Sequence, residues 1–269
     1  YAVTIEVPPT PVYVDDTWAG TTVGTNPLND PVGGLVFGYN AFSDLPSALP
    51  VVATGGTVTV FGGTYPASVT IDRSLAAIEV DTNSTPPTET TVDISGPVIV
   101  DVDIVFRLQG ATNLTFGAAV NAGADAAGET LTIVAAAPIG DEGTLTFGGG
   151  GGGGVTALAA IDATAGVIDL KATLTAIGTV TLTATNGAIV DGNAAPVTIT
   201  AAAAVLSAAT SIGASGAPLA LSVAALTTAS GGPQFLSEAD TLTVGAGDLS
   251  AGSAAVTLSG GRFLTAIGG

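Results

Sequence analysis

The stretch that decides the fold reads Gly55-Gly-Thr-Val-Thr-Val-Phe-Gly-Gly-Thr-Tyr65, and it is soon followed by Val69-Thr-Ile-Asp-Arg-Ser-Leu75. In both segments apolar and polar residues alternate, and most of the apolar ones are β-branched. Because successive side chains of a strand point to opposite faces, this alternation predicts two strands with one buried face each. The glycine pairs on either side of residues 57–61 predict turns.

The same alternating unit recurs along the whole chain. It is found in eleven runs, at residues 57–61, 68–72, 77–81, 91–95, 113–116, 130–133, 144–147, 179–183, 197–200, 241–244 and 255–259. Helix is indicated only at residues 41–49, where Pro46 limits its length. The alanine-rich stretch 201–209 is interpreted as strand and turn, because it has no charged residues for a solvent face. The sequence therefore predicts an all-β fold.

The spacing of these units favours a solenoid. Leucines that open such units stand at Leu114, Leu131 and Leu145, at irregular intervals of similar length. An irregular repeat of this kind, without helices between, predicts coils that each supply two or three short strands. A β-sandwich is the alternative, since it too has many short strands. Residues 148–234 contain no Phe, Tyr or Trp, which favours a narrow coil filled by aliphatic side chains.

Composition excludes several classes of function. The 269 residues include 4 Lys+Arg and 22 Asp+Glu, for a formal net charge of −18, and there is no His or Cys. Without His or Cys, zinc fingers, His-dependent triads, haem or iron–sulfur ligation and disulfides are excluded. The negative charge opposes nucleic-acid binding. We expect no catalytic residue, no metal and no cofactor.

Composition also bears on location. No apolar run is long enough for a transmembrane helix, and an acidic, Thr/Gly/Ala-rich chain without cysteine is typical of secreted bacterial surface proteins. We therefore expect an extracellular or cell-surface location. No signal-peptide pattern precedes Tyr1, so the chain is interpreted as a processed product or an excerpt of a longer protein.

Residues 41–49, 55–65 and 69–75 together resemble the opening of right-handed parallel β-helix proteins of the pectin-lyase-like type. In that pattern a short capping helix precedes a strand and turn of the form G-x-T-V-x-V-x-x-G-T-Y. Residues 155–269 resemble the repeats of haemagglutinin-like bacterial adhesins, on the segments Gly187-Ala-Ile-Val-Asp-Gly192, Leu206-Ser-Ala-Ala-Thr-Ser-Ile-Gly213 and Ala217-Pro-Leu219. Both resemblances imply a right-handed parallel β-helix (solenoid) with an N-terminal extended arm and a short capping helix.

The predicted architecture divides the chain into four parts. Residues 1–40 are expected to form the arm and cap, 41–147 a first β-helical segment, 148–154 a glycine linker or turn, and 155–269 a second β-helical segment. The region that ends at Tyr65 holds all the tyrosines and the only tryptophan: Tyr1, Tyr13, Tyr39, Tyr65 and Trp18. We interpret them as a cap on the hydrophobic end of the coil. A sugar-stacking patch is the alternative.

The candidate catalytic groups are carboxylates. Asp101 and Asp103 are two apart in the sequence, so on one strand they would project from the same face. With Asp93 nearby they could hold calcium or form an acid/base pair. Cleavage of acidic polysaccharides also needs basic groups, and these are scattered in the sequence: Arg73, Arg107, Lys171 and Arg262. We therefore interpret the carboxylates as solvated groups of an outer face.

The predicted function is that of a non-catalytic structural or adhesive solenoid of the bacterial cell surface, which associates head to tail with copies of itself into an extracellular filament. The ends of a β-helix expose strand edges, which are templates for pairing. Residues 1–7 alternate like a strand, and Pro8-Pro9 would hold them away from their own coil, so this arm can add to the next copy. The expected assembly residues are Tyr1, Val3, Ile5, Val7, Phe263, Leu264 and Ile267.

Three alternatives stay open. The chain can be an excerpt whose next coils are missing, which would equally explain a C-terminus that stops in the middle of the pattern. It can be a polysaccharide-binding or polysaccharide-cleaving β-helix whose partners are surface glycans. It can also be an ice-binding module, which an outward Thr-x-Thr ladder would favour.

Overall fold

The computed structural model describes residues 7–82, 90–123, 128–135, 142–148, 154–192, 198–244, 249–252 and 255–265. One α-helix, α1 (Leu45–Ala48), and one 3₁₀ helix (Asp16–Trp18) lie near the N-terminus. The strands are β1 (Val12–Val14), β2 (Ala41–Phe42), β3 (Thr57–Phe61), β4 (Gly63–Thr64), β5 (Val69–Ile71), β6 (Ala77–Asp81), β7 (Thr91–Ile94), β8 (Val98–Val100), β9 (Ile104–Leu108), β10 (Asn113–Phe116), β11 (Val120–Ala122), β12 (Thr130–Ala135), β13 (Thr144–Phe147), β14 (Val155–Leu158), β15 (Ala160–Ala165), β16 (Val167–Leu170), β17 (Leu174–Ala176), β18 (Thr179–Ala184), β19 (Ile189–Asp191), β20 (Thr198–Ala208), β21 (Leu219–Ser230), β22 (Gln234–Val244), β23 (Leu249–Ser250) and β24 (Val256–Thr265).

The local predictions from alternation are confirmed. Each of the eleven alternating runs coincides with a strand in whole or in large part, and the alanine-rich stretch forms most of β20. Residues 41–49 divide between β2 and α1. Pro46 is tolerated because it stands in the first turn, where the amide has no helical partner. Asp44 caps this helix, since its Oδ1 accepts a hydrogen bond from the Ser47 amide at 2.8 Å.

All pairings between these strands are parallel, and they form three ladders. Ladder one contains β2, β1, β3, β6, β9, β12, β15 and β18 in spatial order. Ladder two contains β5, β8, β11, β14 and β17, and ladder three contains β4, β7, β10, β13, β16 and β19. From β20 onward single long strands run through both ladders one and two. The architecture is therefore all-β and solenoid-like.

The coils are longer than the intervals between leucines in the sequence. Leu114 pairs with Leu145 in ladder three, whereas Leu131 pairs with Ile161 in ladder one. The intervals between Leu114, Leu131 and Leu145 therefore measure steps between two ladders and not full coils. Coil length also varies, because the turns differ in length: the coil from Ile133 to its partner Ala163 is longer than the coil from Ala163 to its partner Leu182.

The inward side chains of the three ladders form one hydrophobic core. They stack in rows, because parallel pairing places equivalent residues of successive coils about 4.8 Å apart. One row of ladder one consists of Val58, Ile78, Phe106, Ile133, Ala163, Leu182 and Leu206. The rings of Phe106, Phe116 and Phe147 pack together, and the later coils are filled by aliphatic residues.

The stack continues across the glycine run at residues 148–154. β11 pairs with β14, and β13 pairs with β16. Strands on either side of the run therefore belong to the same ladders, while residues 149–153 of the predicted linker or turn lie outside the described residues. Over the described ranges, no helix is long and apolar enough to cross a membrane.

Candidate functional site: the two ends of the strand stack

The N-terminal region supplies or contacts the first strand of each ladder. Ladder one begins with β2 and β1. The first strand of ladder two, β5, contacts α1, and the first strand of ladder three, β4, contacts the 3₁₀ helix. The Thr64 amide of β4 donates to Asp16 Oδ2 of that helix at 2.9 Å. Residues 7–52, called the cap from here on, therefore cover this end of the stack.

Most aromatic side chains of residues 7–65 pack within the cap or between the cap and the first coil. Trp18 and Phe61 form a second hydrophobic cluster with Leu35 and Ala41. Tyr13 stacks on Phe61 with ring centroids 6.1 Å apart. Tyr65 is buried, and its hydroxyl donates to the Phe61 carbonyl at 2.8 Å. This packing favours the capping interpretation over a sugar-stacking patch.

The carboxylate of Asp30 organises the loop of residues 19–40. Its oxygens accept hydrogen bonds from the amides of Val32, Gly33 and Leu35 and from Asn26 Nδ2, at 2.7 to 2.9 Å. Burial alone would raise the pKa of Asp30, but these hydrogen bonds outweigh it and the pKa is lowered. Burial, and secondarily the Asp30 charge, raises the pKa of Tyr13.

The expected assembly residues that are described lie at opposite ends of the stack. Val7 belongs to the cap, where its carbonyl accepts a hydrogen bond from the Tyr39 hydroxyl at 3.0 Å. Phe263 and Leu264 belong to β24, where they pair with Leu242 and Thr243. The remaining four, Tyr1, Val3, Ile5 and Ile267, fall outside the described residues.

The C-terminal end of the stack has no counterpart of the cap within the described residues. β24 pairs along one edge with β22. No register in the described part of the chain pairs it with any other strand. Among these residues, the last strand therefore leaves one edge of backbone amides and carbonyls without a partner strand.

Close to this end, each ladder's inward row reaches a polar residue. Thr228 follows Leu206, Gln234 follows Ile212, and Glu238 follows Leu221. These three residues, called the polar layer from here on, are at most 1% exposed.

Hydrogen bonds join the polar layer to its surroundings. The Thr228 hydroxyl donates to Gln234 Oε1 at 2.5 Å, and Gln234 Nε2 donates to the Ser250 carbonyl at 2.7 Å and to Ser230 Oγ at 3.1 Å. Polar groups buried in this way keep partners and so avoid the cost of unmade hydrogen bonds.

Glu238 enters the core at an irregularity of the ladder. Leu221 pairs with Glu238 but Ala225 pairs with Thr243, so β22 has one extra residue over this interval. The Val223 amide donates to Glu238 Oε1 at 3.3 Å, which means that a side chain serves as acceptor where the regular pairing stops. We did not predict these residues from the sequence, although Gln234, Leu236 and Glu238 share one face by their period of two.

The prediction that Asp101 and Asp103 lie on one strand is wrong. Both occupy the turn between β8 and β9, because the chain changes direction there from ladder two to ladder one. Asp103 Oδ1 accepts a hydrogen bond from the Thr130 amide at 2.7 Å. Asp93 lies apart from them, on β7 of ladder three, where burial raises its pKa. In the part of the chain that is described, no three such groups form a possible metal site.

Each basic side chain that is described lies beside a carboxylate. Arg107 contacts Glu79 at 3.1 Å, Lys171 contacts Asp169 at 3.1 Å, and Arg73 lies 3.9 Å from Asp72. Each pair is formed within one coil or between neighbouring strands on the outer surface. The basic side chains of these pairs are partly exposed. Each lies beside a carboxylate that would compete with an anionic substrate for its positive charge.

The outer row of ladder three contains both hydroxyl and carboxylate groups. In register along this row lie Thr64, Asp93, Thr115, Thr146 and Asp169. Asp93 and Asp169 interrupt the threonines, so a continuous Thr-x-Thr ladder, the feature that would favour ice binding, is not formed on this face.

Comparison of the chain with protein-family models, with curated proteins and with solved structures gave no match.

Proposed function

We propose that the chain is a right-handed parallel β-helix that serves as a non-catalytic structural or adhesive element of the bacterial cell surface and assembles end to end into an extracellular filament. The observation that carries this proposal is the difference between the two ends, since one lies under the cap and the other presents the unpaired edge of β24 among the described residues. An unpaired edge is a template for another strand. A head-to-tail contact that does not close produces an open fibre.

The right-handed form is proposed from connectivity. All the named strands pair in parallel, and each coil returns to its own ladder through the other two. Connections between parallel strands are right-handed in nearly all cases, because the twist of the strands favours that hand. The resemblance of residues 41–75 to the opening of pectin-lyase-like proteins points to the same hand.

A scaffold role is favoured over cleavage of polysaccharides by the surroundings of the charged groups. Asp101 and Asp103 lie in a turn, Asp93 lies on another ladder, and the described basic side chains contact carboxylates. An acid/base mechanism on an acidic sugar needs a basic group and a proton donor in one groove. The surface therefore suits a stiff, acidic and soluble rod.

In the proposed junction the arm of one copy adds as a strand to the edge of β24 in the next copy. Tyr1, Val3, Ile5 and Val7 would supply the alternating apolar side chains, while Phe263, Leu264 and Ile267 mark the receiving end. Main-chain hydrogen bonds would supply the affinity, as in other strand additions. The acidic side surfaces would limit lateral association and keep the fibre thin.

Deletion of residues 1–7 tests this junction. Electron microscopy and sedimentation velocity should find filaments for the intact chain and monomers for the shortened one. The matched variant Val3→Pro with Ile5→Pro keeps the length of the arm but removes two amide donors, and it should also fail to assemble. Filaments that persist without the arm would rule out strand addition, and a monodisperse intact monomer at all concentrations would rule out assembly itself.

A further inference from the structure

The exposed apolar residues of this protein are concentrated in the cap. Nine large hydrophobic side chains are exposed among the described residues, and six of them lie between residues 7 and 39. Leu28 is 84% exposed and Val23 is 73% exposed, and the others are Val7, Val32, Val36 and Tyr39. A cluster of exposed apolar side chains on an otherwise acidic protein is a mark of an interaction surface.

Four of the other residues lie around Tyr39, two of them in direct contact with it. The Tyr39 hydroxyl bonds the Val7 carbonyl, and the Tyr39 amide donates to the Val36 carbonyl at 3.0 Å. Val23 lies against Gly38, the residue next to Tyr39, and Val32 lines a groove with Tyr39. We call Val7, Val23, Val32, Val36 and Tyr39 the cap patch.

The groove beside the patch has a mixed lining, in which prolines, aromatic rings and aliphatic side chains alternate with glycines and with the polar residues Thr10 and Asn40. It has a volume of about 280 Å³, and Pro9, Pro11, Tyr13, Val32 and Tyr39 lie along it. Prolines and aromatic rings lose little conformational entropy when a partner binds. The groove and the patch therefore form one surface suited to an extended or flat partner.

Charge indicates which partner fits. Residues 1–72 contain no Lys or Arg, and the described cap carries four aspartates: Asp15, Asp16, Asp30 and Asp44. Residues 249–269 carry a single charged side chain, Arg262. The final coil is thus the part of the molecule whose net charge complements the cap, whereas the body of the rod is acidic and would be repelled.

We propose that the cap patch is the docking surface for the last coil, residues 249–265, of a second copy of this chain. This proposal rests on the proposed end-to-end assembly and names the surface that meets the next subunit beside the arm. The patch buries its valines and Tyr39 against the end of the neighbouring stack, whose sequence carries one positive and no negative side chain and so complements the acidic cap.

The first test introduces charge into the patch. Because burying unpaired charge is costly, Val23→Glu with Val32→Glu should raise the critical concentration for assembly about tenfold or more, measured by light scattering and electron microscopy. The matched control is Val134→Glu with Ile177→Glu, since these residues are 38% and 64% exposed but lie along the rod. The control should assemble like the parent chain. Far-UV circular dichroism and thermal unfolding establish that both variants fold.

The second test uses the absence of cysteine from the chain. A copy with Tyr39→Cys is mixed with a copy carrying Thr257→Cys, an exposed position of β24, and a short bismaleimide is added. Dimers that join the two variants are expected, and Val134→Cys in place of Tyr39→Cys should give none. Arg262→Glu should weaken assembly in the same direction as the patch variant.

The outcomes separate this inference from the proposed function. Normal assembly of the patch variant, or equal loss in the control variant, would overturn the docking surface and leave end-to-end assembly standing. Crosslinking from residue 134 but not from residue 39 would also overturn it. An intact chain that remains monomeric at all concentrations would overturn both proposals.

Discussion

The polar layer allows a quantitative prediction about the core. The Thr228 hydroxyl donates to Gln234 Oε1, and Gln234 Nε2 donates to the Ser250 carbonyl. Thr228→Val leaves one buried acceptor without a donor, at a cost of about 1–3 kcal/mol. Gln234→Leu leaves the Thr228 hydroxyl and the Ser250 carbonyl without this partner, also removes the donor to Ser230 Oγ, and should destabilise by more than Thr228→Val. In the double variant the Thr228 hydroxyl and Gln234 Oε1 are both absent, so only the losses at the Ser250 carbonyl and at Ser230 Oγ remain.

The two substitutions should therefore be strongly coupled. The double variant should be more stable, by about 2 kcal/mol, than the sum of the two single effects predicts. The reason is that the Thr228 hydroxyl and Gln234 Oε1, each left without a partner in one single variant, are both absent from the double variant. The control cycle is Thr59→Val with Thr183→Val, two partly exposed threonines of ladder one on β3 and β18. Because four strands of that ladder separate them, their effects should add within about 0.5 kcal/mol.

Denaturant unfolding followed by far-UV circular dichroism measures the four stabilities in each cycle. Stacked coils can unfold in parts, so amide hydrogen exchange of β21 and β22 should accompany the unfolding curves. A coupling energy below about 0.5 kcal/mol for Thr228 and Gln234 would refute the reasoning, because the hydrogen bond would then contribute nothing that a valine and a leucine do not supply.

Two further predictions concern coil packing and pH. Gly143→Ala should destabilise the protein by about 1–3 kcal/mol, because the added Cβ would lie 2.0 Å from the Thr112 carbonyl oxygen. The control Gly128→Ala should be nearly neutral in thermal unfolding, since a Cβ there meets nothing within 4 Å. Equal effects of the two variants would contradict this packing. The pKa of Asp30 is lowered from 3.8, so its contribution is present above pH 3.8, is lost as the pH falls through the folded value, and is removed by Asp30→Asn. Burial raises the pKa of Asp93, so the folded protein binds this proton more tightly and stability falls as the pH rises above 3.8 through the folded value. Asp93→Asn should therefore stabilise the protein at pH 7. Thermal unfolding of both variants at pH 3 and pH 7 tests these signs, and equal changes of the unfolding temperature in the two variants would contradict them.

Strands could be predicted from the sequence wherever alternation was regular, and their assembly only in outline. The run at residues 57–61 alternates Thr and Val because one face is buried and the other meets solvent, and this information is local. Which strands pair is decided by turns of variable length, so Leu131 could not be assigned to Ile161 from spacing alone. Asp101 and Asp103 were placed wrongly for the same reason, since a turn in the middle of an apolar-polar alternation leaves no mark in composition.

The two ends of the strand stack also differ in how far the sequence predicts them. The cap could be predicted because aromatic residues concentrate in the region that ends at Tyr65, and large rings close the end of a narrow aliphatic core. The polar layer was missed because Gln234 and Glu238 are residues that usually face solvent. Their burial depends on partners contributed by other coils, such as Ser250 and Val223, which are not neighbours in the local pattern.

The polar layer also bears on the fidelity of folding. A stack of coils whose inward rows repeat Val, Ile and Leu can be displaced by one coil and still bury aliphatic side chains, so many alignments compete. Thr228, Gln234 and Glu238 occupy three different rows at one level, and each is hydrogen-bonded within that level or to the coils beside it. In a displaced alignment they would face aliphatic neighbours without partners, at about 1–3 kcal/mol for each unmade group. One layer of polar residues thus selects a single alignment of the last coils from a set that hydrophobic burial alone leaves nearly degenerate.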